Sequence, residues 1–366
     1  MERRGPRRQG RRRWLRGIAL AVPLALGHGD ADAADRFAVV DLGTLGGDAS
    51  AAAGINASGQ VVGWSATATG PTRAFLYAGG TMTALGTLSG GRDSQATAIN
   101  DRGEVVGFAG INEFGPRFPE FTQGFIWQDG AMKTLGTLYC PCTFTQRYGT
   151  SVAYAINASG QVVGDSGTVR GESVRHAFVW QQGAMREVGG GAGSTSTSFA
   201  YAINAAGHVA GAFNGRAAVW EGETRRDLGA LPGHVASAAR GINAAGVVVG
   251  ESGGAMDSRA ALWRAGTIVD LGALPGDAAS QASAINAAGD VVGWSGSADG
   301  AASRAVLWRG GAISDLNDLI PAGSGWTLTR AASINDAGHI VGAGIRNGRP
   351  RAFLLTPAGP VAPGPR

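Results

Sequence analysis

Apolar and small or polar positions alternate along this chain in short runs, and the runs are separated by turns containing Gly and Asn. The first complete examples are 60–65 (QVVGWS), 73–77 (RAFLY) and 83–88 (TALGTL). Alternation at period two, β-branched residues and close-set turn signals predict short half-buried β-strands, and hence an all-β protein.

The pattern is itself repeated. The phrase SAAAGINASGQVVG at 50–63 has six further copies, each with Ile-Asn followed by Gly three residues after the Asn. Its asparagines are Asn56, Asn100, Asn157, Asn204, Asn243, Asn286 and Asn335, spaced 44, 57, 47, 39, 43 and 49 residues apart. A period in this range marks a repeat architecture. Each unit reads as four segments: A, the run into Ile-Asn; B, of the type QVVGWS; C, such as HAFVW (176–180) or RAVLW (304–308); and D, such as RDLGAL (226–231). Four short strands in each of seven units predict a β-propeller of four-stranded blades.

Segment A shows which strand lies innermost. Ala stands three residues before every Ile, from Ala52 through Ala331, and Ser or Thr stands five before. A face of small side chains at period two suits the strand where blades crowd the axis. The hydroxyls could line a channel, but near turns they more often satisfy backbone groups, and that is the reading adopted. The two ends of the domain are complementary. After the first 34 residues the chain begins with a D segment, 37–45 (FAVVDLGTL), and it ends with a C segment, 351–355. The seventh unit thus lacks a D strand of its own, and the N-terminal strand is expected to complete the last blade and close the ring. The fold expected is one seven-bladed propeller over 35–356, followed by a Pro/Gly tail at 357–366.

Charge changes the picture only at the N-terminus. The formal net charge is +4, but residues 1–34 hold eight arginines and three acids, and the rest of the chain has 23 basic and 24 acidic residues. A neutral body argues against nucleic-acid binding. Residues 1–34 combine a basic start, an apolar stretch at 17–27 and Ala-Asp-Ala at 31–33, the layout of a cleavable export signal. Arg11-Arg12 with Trp14-Leu15 gives it a twin-arginine character. Eleven apolar residues are too few to span a bilayer, so no stable anchor is expected once the signal is removed. The location expected is therefore periplasmic or extracellular. Cys140 and Cys142 are the only cysteines, and a pair so close reads as a local disulfide or as two thiols; neither a metal site nor a cofactor is expected.

Function is expected where the repeat is interrupted. The A–B and C–D turns are uniform, whereas the B–C and D–A connections, on the opposite face, vary in length. Two insertions, 109–123 and 139–149, carry Phe114, Arg117, Phe118, Glu120, Phe121, Phe144, Arg147 and Tyr148, which are the candidate binding residues. Catalytic signatures are absent. His176, His208 and His339 fill slots that vary freely between repeats and read as surface, and His234 lies on the variable face without an evident partner. Asp48, Asp93, Asp165, Glu172 and Asp277 map to that face too, where each reads as solvated sooner than as an acid–base pair for sugar chemistry. Trp127, Trp180, Trp220, Trp263 and Trp308 end segment C in register, which favours inter-blade packing over stacking platforms for a sugar.

Together, HAFVW, DLGxL and AINxxGxVVG resemble the HAF-type extracellular repeat family of bacteria, with His176-Ala177-Phe178 as the namesake triplet and Arg-Ala-Phe at 73–75 and 351–353. The resemblance covers about 37–356 and implies an exported repeat protein; it supplies no catalytic residues. The expected function is that of a monomeric binding or interaction module for a carbohydrate or protein partner. The alternatives are a glycan-acting hydrolase or lyase with carboxylates at the axial opening, and a structural component of the cell surface or matrix.

Overall fold

The computed structural model describes residues 36–111, 121–138, 149–167, 174–189, 195–254 and 257–358, together with Met1. The described strands form seven four-stranded antiparallel sheets in a ring, a seven-bladed β-propeller. After β1 (Phe37–Asp41), blade one is β2 (Gly46–Ile55), β3 (Val61–Thr67), β4 (Thr72–Ala78) and β5 (Thr81–Ala84). Blade two is β6 (Ser94–Ile99), β7 (Val105–Ile111), β8 (Phe121–Gln128) and β9 (Ala131–Gly136). Blade three is β10 (Thr150–Ile156), β11 (Val162–Gly167), β12 (Arg175–Gln181) and β13 (Ala184–Glu187). Blade four is β14 (Ser198–Ile203), β15 (Val209–Phe213), β16 (Arg216–Glu221) and β17 (Thr224–Asp227). Blade five is β18 (Ser237–Ile242), β19 (Val248–Ser252), β20 (Arg259–Arg264) and β21 (Thr267–Asp270). Blade six is β22 (Ala279–Ile285), β23 (Val291–Gly296), β24 (Ser303–Arg309) and β25 (Ala312–Asp315). Blade seven is β26 (Trp326–Ile334), β27 (Ile340–Arg346) and β28 (Arg349–Pro357), with β1 hydrogen-bonded along the outer side of β28 from Phe37↔Pro357 to Asp41↔Phe353. β28 runs into the segment expected to be tail.

The repeated Asn does two jobs at once. Its Oδ1 accepts the amide four residues on, as from Gln60, Gln161 and Asp290, and so closes the A–B turn. Its Nδ2 donates to the carbonyl of the equivalent Asn in the next blade, at 3.1–3.3 Å, all the way from Asn56 to Asn335. Asn335 donates in turn to the carbonyl of Asn56, 279 residues away, and completes a circle of seven bonds. These asparagines are 4–7 % exposed, so each satisfies backbone groups that water cannot reach.

Every inner strand carries a β-bulge two residues before its Ile, seen as a register shift such as Ala153/Ala155 opposite β11. The bulge drives a carbonyl of the inner strand over the Gly of Val-Val-Gly on the neighbouring strand. A Cβ on Gly164 would lie 1.9 Å from the Val152 oxygen, and one on Gly293 would lie 1.9 Å from that of Gln281. No residue but Gly fits there.

The Ser at the start of segment A binds backbone, as expected. Ser237 Oγ accepts from Ala217 N of the preceding blade and donates to the Gly229 carbonyl, and Ser94, Ser151 and Ser280 repeat the arrangement. The apolar core is divided among the seams between blades. One cluster joins Val163 and Val179 of blade three to Val209 and Trp220 of blade four, and another joins Val249 of blade five to Trp308 of blade six. Trp220, Trp263 and Trp308 are 1–4 % exposed, and all five segment-C tryptophans pack in these seams, as expected.

Candidate functional site

The bulge decides which side chains meet the axis, because a bulged residue is left out of the ladder and re-aimed. The bulge slots are Ala53, Thr97, Tyr154, Tyr201, Arg240, Ser283 and Ala332. All seven inner strands line an axial cavity of about 220 Å³, and the aromatic and charged side chains of its lining are Tyr154, Tyr201 and Arg240 on blades three to five. The circle of repeats is thus occupied unevenly. Tyr154 and Tyr201 have ring centroids 5.3 Å apart, Phe199 stacks on Tyr201 at 5.7 Å, and the Arg240 guanidinium lies 4.1 Å over the Tyr201 ring.

Two ion pairs anchor this wall. Arg240 grips Glu251 of β19 through Nε and Nη2, at 2.9 and 2.6 Å to Oε1. Burial works against the charge of Arg240, but Glu251 outweighs it and holds the guanidinium cationic. Asp165 of β11 is fully buried and paired with Arg175, while its Oδ1 has no hydrogen-bond partner. Burial pushes the Asp165 carboxyl above the ordinary carboxylate range despite Arg175. Burial, reinforced by the Asp165 charge, also drives the Tyr154 phenol far up.

Beside the axis at the loop face, blades five to seven enclose a second cavity of about 340 Å³. Its wall is built from the slots two residues beyond the bulge toward the loop face, Gln281 and Arg330, from Trp294 opposite Gln281, and from Glu251 opposite Ala238, the equivalent slot of blade five. Trp294 Nε1 donates to Gln281 Oε1 at 2.7 Å, and Arg330 lies 4.9 Å over the Trp294 ring. The opposite mouth, among the A–B turns, is lined by the repeated Ile-Asn residues with Asp101 and Asp336. Both of those carboxylates are committed to turn amides, of Ala57 and Ala287.

Of the candidate binding residues, Phe114, Arg117, Phe118, Glu120, Phe144, Arg147 and Tyr148 lie outside the described residues, as do Cys140, Cys142 and Glu172. Phe121 opens β8 opposite Ile111, half-buried against the seam of blades one and two. The insertion at 109–123 is therefore in part an extension of the β7–β8 hairpin. Of the carboxylates mapped to the loop face, Asp48 and Asp93 are exposed and Asp277 is half-buried. Asp93 accepts from Thr72 N and Oγ1, which outweighs its partial burial and lowers its carboxyl, and Asp277 binds Ser295 and Arg304. Asp48 is 95 % exposed, 3.7 Å from Arg349. The structure departs from expectation at three residues. His176 is not surface: it is 3 % exposed, with Nδ1 2.9 Å from Glu187, where other blades place an Arg on an Asp of segment D. His234 does have a partner, its Nδ1 lying 3.1 Å from Ser252 Oγ. Asp165 is buried and not solvated. Among the described residues no group of three or more His, Cys, Asp or Glu is placed to hold a metal ion, and no helix is long and apolar enough to cross a membrane.

The fold and this wall define the class of protein: a seven-bladed propeller with a lopsided axial lining. No protein-family model matches the chain, and no curated protein matches it. Solved structures do. A puromycin hydrolase variant complexed with PGG aligns with a TM-score of 0.50 at 12 % identity, over 74 % of this chain and 45 % of that one. A gluconolactonase from Xanthomonas campestris aligns over 88 % of this chain and 92 % of that one, with 12 % identity and a TM-score of 0.41. The β-propeller domain of the trilobed protease from Pyrococcus furiosus aligns over 70 % and 65 %, with 11 % identity and a TM-score of 0.30. At these identities the likeness is one of fold alone.

Proposed function

We propose that this chain is an exported binding module of the HAF type, working through the loop-face end of its propeller axis on a carbohydrate or protein partner. One observation carries the reading. On a ring whose seven inner strands are otherwise alike, the slots free to vary hold aromatic and charged residues on adjacent blades and enclose the cavity formed by Glu251, Gln281, Trp294 and Arg330. A purely structural ring gives no reason for that asymmetry. Catalysis is not favoured. Both acids of the cavity are committed, Glu251 to Arg240 and Asp299 to the Ser297 hydroxyl and the Ala301 amide, which hold the Asp299 carboxyl low. A general acid for glycoside cleavage needs the opposite shift.

The test is a glycan array probed with the chain lacking residues 1–34, with analysis of the bound glycans for released products. Binding without turnover is expected. Turnover that disappears in Glu251→Gln or Asp299→Asn would replace the binding module with an enzyme, and failure to retain any glycan or protein partner would leave only a structural role.

A further inference from the structure

The cavity on blades five to seven has a definite recognition chemistry. Arg330 is exposed at its rim and makes no ion pair among the described residues. A guanidinium lying over an indole, as here at 4.9 Å, keeps its edge N–H groups free to form paired hydrogen bonds to a carboxylate. The Trp294 indole, 8 % exposed, is fixed by its bond to Gln281 Oε1, and that bond leaves the Gln281 Nε2 group as a positioned donor. Glu251 is neutralised by Arg240, so the lining's unpaired charges are the Arg330 guanidinium and, at the rim, the Asp299 carboxylate. Two groups suited to hydroxyls complete the wall: the Ser258 Oγ and Asp299, whose Oδ1 is engaged locally while Oδ2 is not. Gly300 closes the rim; a Cβ there would lie 3.2 Å from Arg330 Nη2, so the space beside the guanidinium depends on the missing side chain.

One cation edge, one amide donor and two hydroxyl partners in about 340 Å³ complement a small ligand with a single carboxylate and several hydroxyls. We propose that this cavity binds a hexuronate, free or at the end of an acidic glycan, with its carboxylate on Arg330 and Gln281 Nε2 and its ring hydroxyls toward Ser258 and Asp299. A dianion such as phosphate fits less well, because the wall offers one unpaired cation and places the Asp299 carboxylate at the rim. The proposal rests on the binding-module reading and names its ligand class.

Isothermal titration of the chain lacking residues 1–34 with galacturonate and glucuronate, and with galactose, glucose and inorganic phosphate as comparators, tests it. The uronates are expected to bind at least tenfold more tightly than the neutral sugars and phosphate. Arg330→Ala should weaken uronate binding by tenfold or more and leave the melting temperature within a few degrees, since Arg330 is exposed; Arg330→Lys should recover part of the loss. Gln281→Met, which keeps the side-chain volume, should weaken uronate alone. Equal binding of uronate and neutral sugar, or uronate binding indifferent to Arg330→Ala, would overturn the proposal. Silence toward every uronate together with capture of other glycans on the array would sink this ligand class but spare the binding module, whereas silence on both would sink the two together.

Discussion

The strand β1 puts the ring to a direct test. Removing residues 36–45 from the chain that already lacks the leader should leave β28 with an open edge and blade seven with three strands. Phe37 is 3 % exposed in a cluster shared by blades six and seven, and Leu42 is 4 % exposed in the seam of blades seven and one. Losing a buried Phe costs about 3–5 kcal/mol and a buried Leu about 2–5 kcal/mol. To these are added the ladder along β28 and the bonds of Phe37 N to the Leu319 carbonyl at 2.8 Å and of Leu42 N to the Ala352 carbonyl at 3.1 Å. The total of roughly 5–10 kcal/mol rivals the whole stability of an ordinary domain, roughly 5–15 kcal/mol. Urea unfolding followed by tryptophan fluorescence should therefore find the shortened chain unfolded, or its midpoint far lower. A second variant separates pairing from packing. Val40 is 36 % exposed, so Val40→Pro disturbs the β1–β28 ladder with little loss of core, and it too should lower the midpoint. If both variants unfold at the urea concentration of the parent, β1 does not hold the ring shut.

Three further outcomes follow from the repeat and the wall. Asn157→Ala strips partners from the Gln161 amide and the Asn204 carbonyl and should cost about 2–4 kcal/mol in chemical melts, while Asn157→Asp, which keeps an acceptor but loses the donor, should recover only part. Gly164→Ala places a Cβ 1.9 Å from the Val152 oxygen and 2.8 Å from the Phe178 ring; it should destabilise by more than about 3 kcal/mol or prevent folding, read as lost soluble yield and a lowered melting temperature. Asp165 has its folded-state pKa above the ordinary 3.8, so the folded chain keeps a proton that the unfolded chain has released. Its contribution is present below that value and is lost as pH rises from there through the folded-state pKa, and thermal melts across acidic pH should show this decline flattened in Asp165→Asn.

How much of this was legible in the sequence differs from feature to feature. The four-strand unit and the count of seven could be read because the constraint recurs: the Gly of the second strand and the Ala three before Ile answer to one backbone geometry in all seven copies, and the Ser five before Ile stands in six, with Thr329 in the seventh. The second role of the Asn could not be read. A turn-closing Asn and one that also reaches the next blade have the same local sequence, and the bond from Asn335 to Asn56 spans 279 residues. The axial wall was hidden for a different reason. Its residues stand inside the repeated phrase, at slots where most copies have Ala, Gln, Thr or Ser, so Tyr154, Tyr201 and Arg240 read as tolerated variation. What reveals them is the bulge, and a bulge has no sequence signature at single-residue precision. The insertions, by contrast, were conspicuous in sequence, and Phe121 shows that part of one only lengthens a hairpin.

The bulge slot also explains how a ring so constrained can carry a site. Around it the inner strand is held by the Asn circle at one end and by the Ser bonds at the other, and its Ala face is buried against neighbouring blades. The bulged residue escapes the ladder and, in six of the seven blades, meets the axial cavity, so its side chain is less tied to a seam than its neighbours. The residue two positions toward the loop face has similar freedom, since its carbonyl is fixed over a Gly while its side chain looks onto the cross-strand partner, as Gln281 does onto Trp294. Each blade thus offers the axis a small set of independent positions on a fixed frame. Seven blades supply enough of them to build a wall of one chemistry on one side and leave open space on the other. Tyr154, Tyr201, Arg240 and Arg330 occupy that set on four of the last five blades, while Ala53 and Ala51 of blade one leave it small. Shortening one such slot should reshape the axial cavity without unfolding the ring: Tyr201→Ala is expected to keep the cooperative urea transition, whereas Arg240→Ala, which strands the Glu251 carboxylate, should lower its midpoint.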